Sequence, residues 1–136
     1  MDLPKHVKIR PNFIFLKWGF RGITIWPFGI YLKRDDYSDM KKLLNHEEIH
    51  WKQQKELLGI FFLILYYGEM LILKLFKYKG FKEFFKMSRG GWYDAYRNTA
   101  FELEAYINDQ NLKYLETRKF GAWTKYLRKK GIENAT

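Results

Sequence analysis

Residues 43–51 read Leu43-Leu44-Asn45-His46-Glu47-Glu48-Ile49-His50-Trp51, and the interpretation of the whole chain depends on this stretch. It contains the pattern H-E-x-x-H, in which His46 and His50 are four residues apart. On a helix this spacing places both imidazoles on one face, one turn apart. Two neutral imidazoles so placed can bind one Zn²⁺, and Glu47 can then take a proton from metal-bound water. The stretch therefore predicts a zinc-binding helix.

Composition limits the kinds of site that this chain can build. It has 136 residues, of which 47% are hydrophobic and 20% aromatic. That is enough for one domain with a core, and it argues against disorder. The chain has no cysteine, which excludes disulfides, thiolate zinc sites and cysteine nucleophiles. We therefore expect a single domain over residues 1–136 in which any metal is bound by histidines and carboxylates.

The formal net charge of +10 at pH 7 bears on the partners of the protein. Such a charge favours encounter with nucleic acid, anionic lipid or an acidic protein surface. The lysines are spread along the chain and no nucleic-acid fold signature is present, which argues against a nucleic-acid-binding module. The opening Met1-Asp2-Leu3-Pro4 lacks the basic and then apolar run of a signal peptide. We expect a cytoplasmic protein, with membrane association or a place in a larger assembly as alternatives.

The N-terminal quarter predicts a small sheet after an irregular start. Pro4 and Pro11 remove backbone donors from residues 1–12, where His6 is expected to be a solvated surface histidine. Over residues 13–33, aromatic and β-branched runs alternate with glycine and proline, which predicts strands at 13–17, 22–26 and 30–33. We expect an antiparallel hairpin or three-stranded sheet, which must pack on a helix because isolated hairpins are marginal in water.

Helices are predicted over most of the remaining chain. Acidic residues and Ser38 can cap a helix over residues 38–57, which carries the H-E-x-x-H. After the break at Arg89-Gly90-Gly91, a further helix is predicted at 92–114, and a short one at 122–130 ends at Gly131. With the apolar helix described next, the expected fold is α+β and mainly α: a small N-terminal antiparallel sheet packed on three to four helices.

Residues 57–76 are the most apolar stretch of the sequence. A length of about 20 residues nearly meets the requirement for crossing a bilayer, but Glu69 and Lys74 interrupt the stretch. A buried or interfacial helix is therefore favoured over a membrane span. Lysines and aromatic residues alternate up to Phe85, which makes 57–85 a candidate membrane-surface region, with a solvated face over an aromatic core as the alternative.

A third metal ligand is needed, because a catalytic zinc site usually has three protein ligands and one open position. With His6 expected at the surface, the third ligand is expected to be a carboxylate on a later helix. Glu102 and Glu104 are the candidates, since an unpaired carboxylate is costly to bury among their aromatic and small neighbours. Surface positions on an amphipathic helix are the alternative. Gln53 and Gln54 follow the histidines and are candidates for hydrogen bonds to the ligands.

The order of these elements resembles that of the gluzincin metallopeptidases. It runs from H-E-x-x-H through an apolar helix to Tyr96-Arg97 and Phe101-Glu102-Leu103-Glu104-Ala105-Tyr106. It is most similar to membrane-associated zincins of the prenyl-protease and heat-shock-protease type. It also resembles small uncharacterised zincin-like proteins of bacteria and their phages, over residues 20 to 110. Matching the E-x-x-A-D pattern implies Glu102 as the third zinc ligand, with Glu104 as second choice. Tyr106 stands where those families have aspartate.

The resemblance implies a zinc-dependent, metallopeptidase-like hydrolase with Glu47 as general base. It acts on a peptide or protein, which the edge of the hairpin binds by strand addition. Tyr96 and Arg97 are candidates for stabilising an oxyanion. One alternative is a non-catalytic, metal-stabilised structural protein with an assembly partner, such as a subunit of a virion. The other is a basic module that binds membranes or nucleic acid, so enzymatic activity stays open at this point.

Overall fold

The computed structural model of the chain describes residues 3–16, 19–73 and 96–127. The predicted class, α+β and mainly α, is confirmed. Short 3-10 helices lie at Ile14–Leu16 and Ala122–Tyr126. In the described ranges the strands are β1 (Val7–Ile9), β2 (Gly22–Ile25) and β3 (Gly29–Leu32), and the helices are α1 (Met40–Glu56), α2 (Ile60–Leu73), α3 (Ala100–Asn108) and α4 (Tyr114–Thr117).

The three strands form a mixed sheet with β3 at its centre. β2 and β3 form the antiparallel hairpin that the sequence predicts, with Gly22 opposite Leu32. β1 pairs with β3 in parallel, so the expectation of a wholly antiparallel sheet was wrong. The strand predicted at 13–17 was also wrong, because Ile14–Leu16 is a 3-10 turn. The third strand comes instead from the supposedly irregular start, where three residues are too few to show a period-2 pattern.

One core lies between the sheet and α1, and Gln54 fixes the two together. The Nε2 atom of Gln54 donates to the carbonyl of Thr24 at 2.8 Å, and its Oε1 atom accepts from the amide of Trp26 at 2.8 Å. Gln54 therefore holds α1 against β2, and the prediction that it bonds to a ligand was wrong. The buried apolar residues of this core are Val7, Ile30, Leu32, Met40 and Leu43.

His6 also joins the sheet to α1, so its prediction as a solvated surface residue was wrong. The Nε2 atom of His6 lies 2.6 Å from Oε1 of Glu48, and the imidazole stacks on Trp51 with 4.6 Å between ring centroids. Glu48 is a middle residue of H-E-x-x-H and lies on a different face of α1 from the motif histidines. A contact between residues 42 positions apart leaves no trace in local sequence patterns.

α2 begins after a sharp turn, three residues later than the helix predicted at 57–76. Leu58 and Gly59 both have positive φ, 53° and 70°, and they set α1 and α2 at 113° to one another. Only Phe62 and Tyr66 of α2 are buried, so α2 is not a buried core helix. Residues 74–76 lie outside the described ranges. No single helix in those ranges is long and apolar enough to cross a membrane, although the bent pair α1 and α2 together reaches that length and hydrophobicity.

The helices predicted after residue 91 differ from the observed ones. Residues 96 and 97 are helical, and a turn at 98–99 interrupts the helix expected at 92–114. α3 begins after Thr99, whose side chain accepts a hydrogen bond from the Glu102 amide. Residues 92–95 lie outside the described ranges. The helix expected at 122–130 is a 3-10 helix, Ala122–Tyr126, and residues 128–131 are likewise not described. α3 packs against α1 and against the C-terminal 3-10 helix, and this packing brings the candidate ligands together.

Candidate metal centre

His46, His50 and Glu102 meet where α3 packs on α1. The Nε2 atoms of the two histidines are 3.1 Å apart. Oε2 of Glu102 lies 3.3 Å from Nε2 of His46, and Oε1 lies 3.3 Å from Nε2 of His50. One ligand atom from each residue lies within 4.8 Å of the others, and all three residues are buried. Two imidazoles and a carboxylate at this spacing are a donor set that a divalent metal takes.

Hydrogen bonds to the far side of each ring fix which nitrogen faces the centre. Nδ1 of His50 lies 2.8 Å from Oε1 of Gln53, and Nδ1 of His46 lies 3.3 Å from Oδ2 of Asp109. Both partners are acceptors, so each Nδ1 carries a hydrogen. The Nε2 atoms of two neutral rings would then be lone pairs facing each other at 3.1 Å. A proton or a metal ion is needed between them.

The Glu102 carboxylate supplies a direct test of whether a metal fits. The Tyr66 hydroxyl donates to Oε1 at 2.9 Å, but Oε2 is buried and has no hydrogen-bond partner. A buried acceptor without a partner is costly. An ion held by the three side chains would satisfy Oε2 and both Nε2 atoms together. The donor set therefore fits a divalent metal, and imidazole with carboxylate suits zinc among others.

The electrostatics of the centre favour a positive charge. Burial lowers the pKa of His46, but the contacts with Asp109 and Glu102 outweigh it and raise the pKa to about 10. Burial also lowers the pKa of His50, and the charge of Glu102 outweighs it, so that this pKa too is raised. Burial raises the pKa of Glu102, but the two histidines outweigh it and hold the pKa well below its usual range. A metal that binds here must displace the protons held by the histidines.

Glu47 lies beside the centre and is held by the hairpin. The Thr24 hydroxyl donates to Oε2 of Glu47 at 2.7 Å. Oε1 faces Gly22, where an added Cβ would lie 3.3 Å from Oε1 and 2.8 Å from Cδ2 of Leu32. β2 can therefore pass this close to Glu47 only because residue 22 is glycine. The charge of Glu47 contributes to the raised pKa values of both motif histidines, as expected of a group next to them.

A cavity of about 130 Å³ opens beside His46 and Glu47. It has room for a few water molecules or one small substrate group. Tyr96 lines it, and burial followed by the negative charge of Glu102 raises the pKa of its hydroxyl well above the usual value. Tyr96 therefore keeps its proton. The lining residues are Phe20, Arg21, Gly22, Lys42, Leu43, His46, Glu47, Tyr96, Tyr106 and Asp109.

Arg97 does not line this cavity, although the sequence marks it as an oxyanion candidate alongside Tyr96. Its guanidinium lies over the ring of Tyr106, 4.7 Å from the ring centroid. The Tyr106 ring in turn packs edge-on against His46, with 4.5 Å between centroids. Arg97 therefore supports the wall of the centre through Tyr106, and Tyr96 is the better placed of the two candidates.

Glu104, the second-choice ligand, lies on the other side of α3. Its Oε2 atom accepts from Nε2 of Gln53 at 2.8 Å, and its Oε1 atom accepts from the Tyr114 hydroxyl at 2.9 Å. Arg118 also bonds to Glu104, and it pairs with Glu56 as well. Glu104 is thus fully engaged, which leaves Glu102 as the glutamate that faces the histidines.

Two of the groups at the centre were missed by sequence reasoning. Asp109 stands seven residues, or two helical turns, after Glu102, and this spacing could have placed it on the same face. Its Oδ2 atom lies 3.3 Å from Nδ1 of His46. Asn45 holds it in place by donating to its carbonyl at 2.8 Å. Tyr66 lies in the apolar stretch of the sequence, and no pattern there predicts its hydrogen bond to Glu102.

No match to the chain was found among protein-family models, curated proteins or solved structures. The resemblance to gluzincins therefore stays a prediction, based on the motif and the order of elements. The geometry itself defines a candidate metal centre with two histidines and one glutamate, next to a second glutamate and a small cavity.

Proposed function

We propose that this protein is a metal-dependent hydrolase of the peptidase type, with zinc as the expected ion and His46, His50 and Glu102 as ligands. The observation that carries the proposal is the buried Glu102 carboxylate, which faces both histidines next to the Glu47 carboxylate. Its Oε2 lies 3.3 Å from Nε2 of His46 without a hydrogen bond, and its Oε1 lies 3.3 Å from Nε2 of His50. A divalent metal at such a centre acts as a Lewis acid, polarising a carbonyl and lowering the pKa of water.

Glu47 is the general base in this proposal. The Thr24 hydroxyl occupies Oε2, so Oε1 is the atom that accepts the proton of the attacking water and later gives it to the leaving amine. The neighbouring Gly22 keeps the space beside Oε1 open. The hairpin thus fixes the orientation of the carboxylate before substrate arrives.

Other residues of the cavity hold groups in place or bind charge. The Tyr96 hydroxyl, protonated and lining the cavity, donates to the oxygen on which negative charge develops. Asp109 and Gln53 orient His46 and His50 through their Nδ1 atoms, and such partners strengthen the binding of metal. Each of these roles uses an atom already placed in or around the cavity.

The free edge of β2 suits an extended peptide, but over a short length only. β2 is an edge strand of the sheet in the described ranges, and Gly22 at its start lines the cavity. Gln54 already occupies the carbonyl of Thr24 and the amide of Trp26. Strand addition is therefore limited to the Gly22 end, where a bound peptide would reach Glu47. The expected substrate is a short extended segment.

The test compares wild type with Glu47→Gln for metal content and for hydrolysis of an unstructured protein such as casein. We expect one zinc per chain in both, and a loss of hydrolysis of about 10²-fold or more in the variant, the usual effect of a general base. Glu48→Gln is the matched control, because Glu48 pairs with His6 away from the centre. Equal hydrolysis by Glu47→Gln and wild type, or no hydrolysis by metal-loaded wild type, would overturn the proposal.

A non-catalytic metal centre is the second candidate. The burial of all three ligands and the small cavity favour it, since the ion would join α1 to α3 and stabilise their packing. A chelator would then lower the melting temperature, and the metal-loaded protein would leave a broad panel of peptides intact. Hydrolysis that depends on Glu47 would exclude this candidate.

A further inference from the structure

α2 has two faces of opposite character. Phe62 and Tyr66 are buried on its inner side. Glu69, the one charged residue of the helix, also turns inward and accepts the amide of Ala100 at 2.9 and 3.0 Å. The rest of the helix surface carries large apolar side chains between Ile60 and Ile72 that are 40 to 63% exposed. We call these exposed side chains the outer face of α2.

The outer face has no charged residue, which is unusual for a helix surface in water. Apolar side chains exposed one at a time are normal in proteins, but contiguous apolar surfaces mark sites of interaction. On a helical wheel, the exposed residues of α2 cover more than half of the circumference, because the buried Phe62 and Tyr66 and the half-buried Glu69 and Leu73 share one side. The outer face therefore needs a partner that accepts apolar side chains over the full length of the helix.

The surface continues beyond α2 through the turn that precedes it. Leu58 is 64% exposed although its φ is 53°, a left-handed conformation in which glycine or asparagine is more favourable than leucine. Gly59 lies against Trp26 of the hairpin. Phe28, which follows Trp26 in the turn between β2 and β3, is 68% exposed. The exposed apolar surface thus extends from α2 to the tip of the hairpin.

Charge and length indicate which partner fits. The net charge is +10, and in the sequence Lys55 precedes the turn into α2 while Lys74, Lys77, Lys79 and Lys82 follow the helix. Binding to an anionic membrane surface grows with the apolar area that enters the lipid and with the number of nearby basic residues, and this part of the chain offers both. The 14 residues of α2 within the described ranges span about 21 Å, less than a hydrocarbon core of about 30 Å.

We propose that the outer face of α2, together with Leu58 and Phe28, docks on the surface of an anionic lipid bilayer. The helix lies along the surface, its apolar side chains enter the boundary between headgroups and acyl chains, and the net positive charge of the chain, with Lys55 before the turn, draws the protein to anionic headgroups. This surface does not include the metal centre and goes beyond the hydrolase function. It holds whether or not the centre is catalytic.

The test is sedimentation of the full chain with phosphatidylcholine vesicles that contain or lack phosphatidylglycerol. We expect binding to the vesicles with phosphatidylglycerol that weakens as salt is added, because each lysine near such a surface adds about fivefold in affinity. Ile64→Asp, on the outer face, is expected to reduce binding at least tenfold. Leu112→Asp is the matched control. Leu112 is 53% exposed and lies beside the first turn of α1, at the other end of that helix from α2.

Leu58→Asn separates a role in docking from a role in folding. Asparagine tolerates the left-handed conformation, so the melting temperature should stay the same or rise while vesicle binding falls severalfold. Unchanged binding in both Ile64→Asp and Leu58→Asn would overturn the proposal. So would equal binding to vesicles without phosphatidylglycerol.

Other occupants of the outer face give different results. A dimer that forms without vesicles and is lost in Ile64→Asp would assign the face to a second copy of the chain. A large loss of stability in Ile64→Asp, with no vesicle binding by wild type, would mean that residues of the same chain cover the face. Either result overturns the proposal.

Discussion

Helix α3 carries two buried glutamates whose surroundings are opposite. Gln53, Tyr114 and Arg118 hydrogen-bond to Glu104, so that both of its carboxylate oxygens have partners. Glu102 is hydrogen-bonded to Tyr66 through one oxygen, and the other has no hydrogen-bond partner. The two are two residues apart and therefore lie on different faces of the helix. Burial alone does not distinguish a functional carboxylate from a structural one; the unpartnered oxygen does.

The two sides of α3 also differ in how the negative charge is balanced. On the Glu104 side the guanidinium of Arg118 neutralises it, with Glu56 as a second acid. On the Glu102 side the positive charge must come from protons on the histidines or from a bound metal. The Glu104 side is therefore neutralised by side chains alone, and the Glu102 side needs protons or, as we propose, a bound metal.

The largest effect is expected on the Glu104 side. Glu104→Ala removes one of the two acids that pair with Arg118, whose side chain is 3% exposed, and breaking a buried ion pair costs about 3 kcal/mol of unfolding free energy. Urea denaturation measures this loss. Glu116→Ala, at an exposed position of α4, is the control and should change little. A loss below about 1 kcal/mol for Glu104→Ala would mean that Glu56 alone can balance Arg118.

The next effect is on the Glu102 side. Glu102→Gln removes the negative charge of a proposed ligand, and we expect the affinity for zinc to fall more than about 100-fold. This is more than the 10- to 100-fold loss, roughly, that follows when a residue hydrogen-bonded to a metal ligand is removed. Competition with a chromophoric chelator measures the affinity, and circular dichroism checks the fold. Glu48→Gln should bind zinc like wild type. Retained affinity in Glu102→Gln, with loss in a Glu104 variant, would reverse the assignment.

Gln53 connects the two sides, because its Oε1 atom accepts from His50 and its Nε2 atom donates to Glu104. Gln53→Ala frees the His50 ring to rotate and change tautomer, so zinc affinity should fall by about 10- to 100-fold. Gln54→Ala is the matched control, since Gln54 bonds to the hairpin and its loss should lower stability without changing the affinity of the folded protein. Equal zinc affinities in the two variants would show that Gln53 does not support metal binding through His50.

The smallest effect concerns a third glutamate, Glu69 of α2, which contacts the first residue of α3. Glu69 reaches from α2 to the Ala100 amide, and burial raises its pKa to about 7. Since a raised carboxyl pKa means that the folded state binds the proton more tightly, Glu69 contributes stability below about pH 4.5 that is lost as the pH rises to about 7. With allowance for partial exposure, wild type should lose about 1 kcal/mol relative to Glu69→Gln over this range. Unfolding curves at several pH values measure the difference, and parallel curves would contradict the prediction.

The sequence predicted correctly those features that depend on residues within about one turn of a helix. The four-residue spacing of His46 and His50 predicted that they share a face of a helix, and this is how they lie. Thr99-Ala100-Phe101-Glu102 has the T-x-x-E form of a helix start, which could have placed the beginning of α3 correctly. The predicted helix at 92–114 overran this signal because aromatic and small residues continue on both sides of it.

The partners of these residues could not be predicted, since they depend on how separate elements pack. Gln53 and Gln54 lie three and four residues after His50, and both positions neighbour His50 on a helix. Packing decides between them, because Gln54 bonds to the hairpin and Gln53 bonds to His50 and to α3. The same holds for Asp109, 63 positions from His46, and for the three-residue β1, whose parallel partner is more than 20 residues away.

α2 contacts the centre directly, because Tyr66 on its inner side donates to Glu102 while the outer face points away from the protein. A ligand that shifts α2 would therefore also shift the hydrogen bond from Tyr66 to Glu102, the proposed metal ligand. Thermodynamic linkage makes such a coupling reciprocal: if lipid changes the affinity for metal by some factor, metal changes the affinity for lipid by the same factor. The fraction of the protein with bound metal and the fraction on the membrane would then depend on each other.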